Sequence, residues 1–85
     1  MSYALTIITP DGKVFDDQVE ELVAPGEFGS FGVLKQHAPM LAALKKGILK
    51  IKTQGQESLW STAPGVLEVS GGGEVLILVD QAQKQ

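Results

Sequence analysis

Turn-forming residues divide this chain into short segments. Ten glycines and four prolines are spread through 85 residues, and the segments between them mostly alternate in hydrophobicity. Gly47–Thr53 shows the pattern most clearly, because Leu49 and Ile51 fall on one face of a strand while Lys50 and Lys52 fall on the other. Short alternating segments bounded by turn residues predict an all-β chain.

The number and length of these segments predict the architecture. Seven to nine short strands and a length that supports a single core favour one flattened two-sheet β-sandwich or barrel of antiparallel strands. We expect this domain to occupy residues 1–80, with a polar, frayed tail at residues 81–85.

One segment departs from the period of two. Leu41 and Leu44 are three residues apart, and Gly47 follows as a natural helix stop. The pattern predicts a short helical segment near residues 40–46, of two turns at most.

Composition excludes several classes of function. The chain has a net charge of −3 and no arginine, which argues against nucleic acid as a partner. It has no cysteine, so a disulfide framework, a thiolate metal site and a cysteine nucleophile are excluded. It also has no apolar run of the roughly 20 residues that span a bilayer. We expect neither a cofactor nor a metal, and a reducing, cytoplasm-like compartment.

The segment PGEFGSFGVLKQHAPMLAAL, residues 25–44, contains the candidate sites. Gly26, Gly29 and Gly32 could ring a phosphate, but the spacing matches no dinucleotide or P-loop fingerprint, so turns and close backbone approach are favoured. The single histidine, His37, could be the base of a small hydrolase. No nucleophile motif accompanies it, and a packing or interface role is favoured.

Apolar side chains on both faces of the last strand point to a binding role. Val75–Val79 is apolar throughout, so Leu76 and Leu78 need a cover from this domain or from another protein. Met40 and Leu41 need a cover for the same reason. These residues favour a binding module. An alternative is a carrier domain of the biotinyl or lipoyl type, in which one lysine of Lys45–Lys46 would be modified.

Three stretches together carry a family resemblance. LTIITPDGKVF, VAPGEFGSFGVLKQHAPMLAALKKGILKI and APGVLEVSGGGEVLILVD resemble the epsilon subunit of F-type ATP synthases over essentially the whole chain. The family pattern PGxxGxxGhLxxHxPhLxxL, in which h is apolar, is matched by Pro25, Gly26, Gly29, Gly32, Leu34, His37, Pro39, Leu41 and Leu44. Its GhLEV element is matched by Gly65–Val69.

The resemblance implies a non-catalytic subunit of the central stalk, or rotor. Such a subunit is a flattened β-sandwich that binds the gamma subunit and the ring of c subunits, and couples proton- or sodium-driven rotation to ATP synthesis. We expect it at the cytoplasmic face of a bacterial membrane, attached only through the complex. Many members also carry a C-terminal helical hairpin, which is not among these 85 residues, as expected either for a naturally short member or for an N-terminal domain taken alone.

The resemblance also implies two partner-binding surfaces. The expected contact with the c ring is the glycine loop, formed by Glu27, Phe28, Gly29, Ser30 and Phe31. The expected gamma face comprises His37, Pro39, Met40 and Leu41, to which the uncovered Leu76 and Leu78 are added.

The chain departs from the family at a few positions. Many relatives carry acidic residues in the glycine loop, where this chain has Phe28 and Ser30. Gln36 replaces the glycine that usually precedes the histidine. Pro64 replaces the first of the two glycines that usually precede the LEV element.

Overall fold

The protein is a ten-stranded β structure without helices. The computed structural model describes residues 1–85. The strands are β1 Tyr3–Thr9, β2 Gly12–Val19, β3 Glu21–Gly26, β4 Gly29–Leu34, β5 Met40–Leu44, β6 Gly47–Thr53, β7 Gln56–Thr62, β8 Gly65–Val69, β9 Val75–Val79 and β10 Ala82–Lys84. No helix in the structure is long and apolar enough to span a membrane.

Strand pairing builds two layers. Neighbouring strands follow the order β10-β7-β6-β3-β5-β8-β9-β1-β2, and β4 pairs with β3 off this path. Strands β3 and β5 share a single register pair, Gly26 with Leu44. The sheet therefore divides there into a layer of β4-β3-β6-β7-β10 and a layer of β5-β8-β9-β1-β2, which confirms the predicted all-β sandwich. Every pair is antiparallel except β1 with β9, which is parallel.

The inward-facing side chains of both layers form one core of 16 buried residues. Strand β1 shows the alternation that builds it, since Tyr3, Leu5 and Ile7 are buried while the residues between them are partly exposed. The Tyr3 hydroxyl donates a 2.6 Å hydrogen bond to the carbonyl oxygen of Val33 in β4. This bond joins one layer to the other.

The predicted helix near residues 40–46 is wrong. Met40–Leu44 is strand β5, and all five residues pair with β8, from Met40 opposite Val69 to Leu44 opposite Gly65. Met, Leu, Ala and Lys favour helices, but the preference is only tenths of a kcal/mol per residue. Pairing with β8 and burial of Leu44 outweigh it.

The predicted fraying of the tail is also wrong. Ala82–Lys84 forms β10, which pairs with β7 and places Lys84 opposite Trp60. The Gln85 amide donates to the carbonyl oxygen of Leu59 at 2.8 Å, and Ala82 packs against the core. Unpaired backbone groups along β7 give even a polar segment a place to bind.

Candidate partner-binding surface

The glycine loop is the tip of the β3–β4 hairpin. Gly26 and Gly29 face each other across it, and Glu27 and Phe28 form the turn. Gly29 has φ of 134°, in the region that favours glycine. A Cβ atom on Gly26 would lie 2.5 Å from the Gly29 carbonyl oxygen and 2.9 Å from the Phe31 ring. The two glycines therefore allow the tight turn, Gly26 by its lack of a Cβ atom and Gly29 by its positive φ.

The structure brings all five predicted loop residues together on this hairpin. Phe28 is 99% exposed at the tip, Gly29 and Ser30 are also exposed, and Phe31 is partly buried against the core. A fully exposed aromatic side chain contributes no burial energy to the fold, but it would contribute to binding if a partner covered it.

A cleft of about 340 Å³ joins the loop to strand β5. Phe28 and Phe31 line it on one side, and Met40 and Leu41 line it on the other. Four of the five residues expected to contact the c ring, all but Ser30, and two of those expected to contact gamma therefore share one cleft.

The outward side of the β5-β8-β9-β1 layer carries a continuous row of apolar side chains. The registers place Ala43 opposite Val66, Val66 opposite Leu78, and Leu78 opposite Ile8. Leu41 lies at the end of the layer nearest the loop and is 73% exposed. We call these residues, together with Leu76, the outer apolar face: Ile8, Leu41, Ala43, Val66, Leu76 and Leu78.

This face agrees with the predicted need for a cover and extends it. Leu78 is 46% exposed and needs a cover from outside the chain, whereas Leu76 is already partly buried. Ile8, Ala43 and Val66 were missed. Val66 could have been found, because in GVLEV it alternates with the inward Leu67.

His37 and Pro39 lie apart from the shared cleft, in the connection between β4 and β5. His37 is partly buried, and its Nδ1 lies 2.7 Å from the carbonyl oxygen of Ala38. The residue borders a different cavity, opposite the glycine turn Gly71–Gly73. His37 and Pro39 therefore border this second cavity and not the cleft lined by Met40 and Leu41.

Lys45 and Lys46 form the link between β5 and β6. These two strands do not pair with each other, so the lysines do not sit on a hairpin. The Lys45 amide donates to the carbonyl oxygen of Pro25 at 2.9 Å. This geometry differs from the displayed hairpin lysine of a biotinyl or lipoyl carrier.

Comparisons with known proteins point in one direction. Residues 2–85 match the family model described as ATP synthase, Delta/Epsilon chain, beta-sandwich domain. The chain is 38% identical over 84 residues to the chloroplastic ATP synthase epsilon chain of Medicago sativa, covering 99% of this chain and 61% of that protein. It is 35% identical over 80 residues to the ATP synthase epsilon chain of Desulforamulus reducens, covering 94% and 60%.

A solved structure shares the fold. A chain in the cryo-EM structure of the Euglena gracilis mitochondrial ATP synthase, OSCP/F1/c-ring, superposes with a TM-score of 0.92 at 24% identity, covering 98% of this chain and 53% of that one. The present chain thus spans about three fifths of the length of the curated relatives it matches.

Proposed function

Because the chain belongs to the ATP synthase delta/epsilon β-sandwich family, we propose that it is a non-catalytic central-stalk subunit that binds the gamma subunit and the c ring. In this role it transmits ion-driven rotation to the catalytic head. Its attachment to the membrane is through the complex, and in a bacterium it faces the cytoplasm.

The outer apolar face is the observation that carries the proposal. Leu41 and Leu78 are exposed at 73% and 46%, and they lie on a strand layer whose inward side is already filled by the core. An exposed apolar row of this kind is typical of a surface that another protein covers. A durable protein–protein contact buries about 1,600 Å² or more in total, so we expect the outer apolar face to form one part of a larger interface.

The second surface is the hairpin tip. Phe28 projects into solvent with Glu27 beside it, and we assign this tip to the c ring. Phe28 stands where many relatives have an acidic residue, so this contact depends on apolar burial more than on charge.

Binding to gamma tests the proposal. We expect the cognate gamma subunit to form a stable complex with the chain, measured by isothermal titration calorimetry. Leu41→Asp should weaken this binding at least about a hundredfold, because the new carboxylate loses its water without gaining a partner and lies opposite Glu68, which has the same charge.

Leu59→Asp is the matched control. Leu59 is a similarly exposed leucine, at 41%, but it lies on the opposite layer, in β7. The Leu59→Asp substitution should leave gamma binding unchanged. Failure of the unmodified chain to bind gamma, or equal binding by the Leu41 and Leu59 variants, would contradict the proposal.

A further inference from the structure

Strand β5 is paired fully on one side only. All five of its residues pair with β8, whereas β3 meets it at Gly26 and Leu44 alone. The residues of β5 that precede Leu44 therefore have no neighbouring strand on the side that faces β3.

The hydrogen bonds at the end of β5 show which backbone groups face this open side. The Glu27 amide donates to the Ala43 carbonyl oxygen at 3.0 Å, and the Lys45 amide donates to Pro25 at 2.9 Å. Because successive residues of a strand direct their backbone groups to opposite sides, Leu41 shares the direction of Ala43 and Lys45. Its N–H and C=O groups face the open side, while those of Ala42 face β8.

The apolar cleft lies along this same open edge. Met40, Leu41, Ala42 and Ala43 all line it. Side chains of successive strand residues point to opposite faces, so a cavity that contacts four consecutive residues runs beside the backbone of the strand. Phe28 and Phe31 close the other side of the cleft.

Strand β5 itself carries none of the residues that protect an edge from another strand, and Pro39, which directly precedes it, ends the open stretch. Natural edges are guarded by charged residues or proline, as at β2 with Lys13 and Asp16 and at β10 with Lys84. Met40–Leu44 contains neither. Glu27 is the one charged residue that lines the cleft, so the site favours a segment that carries a positive charge.

We infer that β5 accepts an extended segment of the gamma subunit as an added strand, with an apolar side chain in the cleft between Phe31 and Leu41 and a lysine or arginine near Glu27; the c ring then contacts the solvent-facing side of Phe28. Backbone hydrogen bonds to Leu41 fix the register, and the cleft selects the side chains. This inference rests on the proposed function, since it names how gamma binds at Met40 and Leu41.

Proline substitutions test the added strand, because proline removes one backbone N–H. Leu41→Pro should leave the isolated chain folded, since the Leu41 amide faces the open edge. It should weaken gamma binding at least about tenfold more than Leu41→Ala, which keeps the amide. Ala42→Pro is the positional control and should lower the thermal unfolding midpoint, because the Ala42 amide bonds to β8.

Amide hydrogen exchange by NMR gives a second readout. In the free chain, the Leu41 amide should exchange rapidly and the Ala42 amide slowly. In the gamma complex, the Leu41 amide should become protected. Strand addition would be overturned if Leu41→Pro and Leu41→Ala bound gamma equally well and the Leu41 amide stayed unprotected in the complex. Gamma binding itself would then still stand. Absence of any complex would overturn both.

Discussion

Tyr3 shows how a single buried residue joins the two layers. Its side chain is 6% exposed, and its hydroxyl bonds to Val33 across the core. Burial, with a smaller contribution from the negative charge of Glu21, raises the pKa of Tyr3 to about 12. The neutral phenol is thus the form that the fold stabilises.

Tyr3→Phe should lower the free energy of unfolding by about 1–2 kcal/mol, because the Val33 carbonyl oxygen loses its partner. The measurement is urea unfolding at neutral pH. An unchanged midpoint would show that the bond adds nothing.

The same residue predicts a pH dependence. An unfolded tyrosine ionises near its ordinary pKa of about 10, whereas the folded one ionises near 12. Between these values the unfolded chain has released a proton that the folded chain retains, so stability falls as pH rises. Tyr3 is the single tyrosine, so tyrosinate absorbance follows it directly. The fall should be shallower in Tyr3→Phe.

Gln36 stands where the family resemblance leads us to expect a glycine. Its φ of 66° lies in the left-handed region that favours glycine. Glutamine tolerates the conformation at a modest energetic cost.

At the scale of elements, the β8–β9 pair is held by a close approach. A Cβ atom on Gly65 would collide with the Leu78 carbonyl oxygen and would lie 2.6 Å from a methyl carbon of Val79. The first contact is with backbone, so no side-chain rotation can relieve it.

Gly65→Ala should therefore destabilise the fold by about 2 kcal/mol or more, in the range of overpacked sites. Thermal unfolding measures the change, and Gly71→Ala is the matched control, because a Cβ atom there has nothing within 4 Å. Equal midpoints for the two variants would contradict the predicted collision.

Strand β10 shows how little local pattern an element needs. Only three residues pair with β7, yet they cover the region of Trp60, which is 8% exposed and meets Phe15 edge to face at 5.9 Å between ring centroids. The geometry of β7, more than the sequence QAQKQ, makes this segment a strand.

At the scale of the whole molecule, the core and the outer apolar face are separate. The core side chains all lie between the layers, whereas Leu41 and Leu78 project outward from one layer. Stability and partner binding therefore depend on different residues.

The double variant Leu41→Ser and Leu78→Ser tests this separation. It should change the free energy of unfolding by no more than about 1 kcal/mol, since surface changes away from special features are small, while it abolishes measurable gamma binding. Urea unfolding and calorimetry on the same sample give both values. A large loss of stability would mean that the face belongs to the core.

The sequence by itself determined the all-β class, most strand positions and the glycine turn, because period-two alternation and turn residues act over a few neighbours. The loop residues Glu27–Phe31 lie together on one hairpin for the same reason, as they are contiguous. Tertiary structure alone decided that Met40–Leu44 is a strand, that β1 and β9 are parallel, and that Phe28 and Leu41 share a cleft while His37 stands apart. Those outcomes depend on which strands pair across distant parts of the chain, and burial and pairing there outweigh the weak local preferences that a pattern can report.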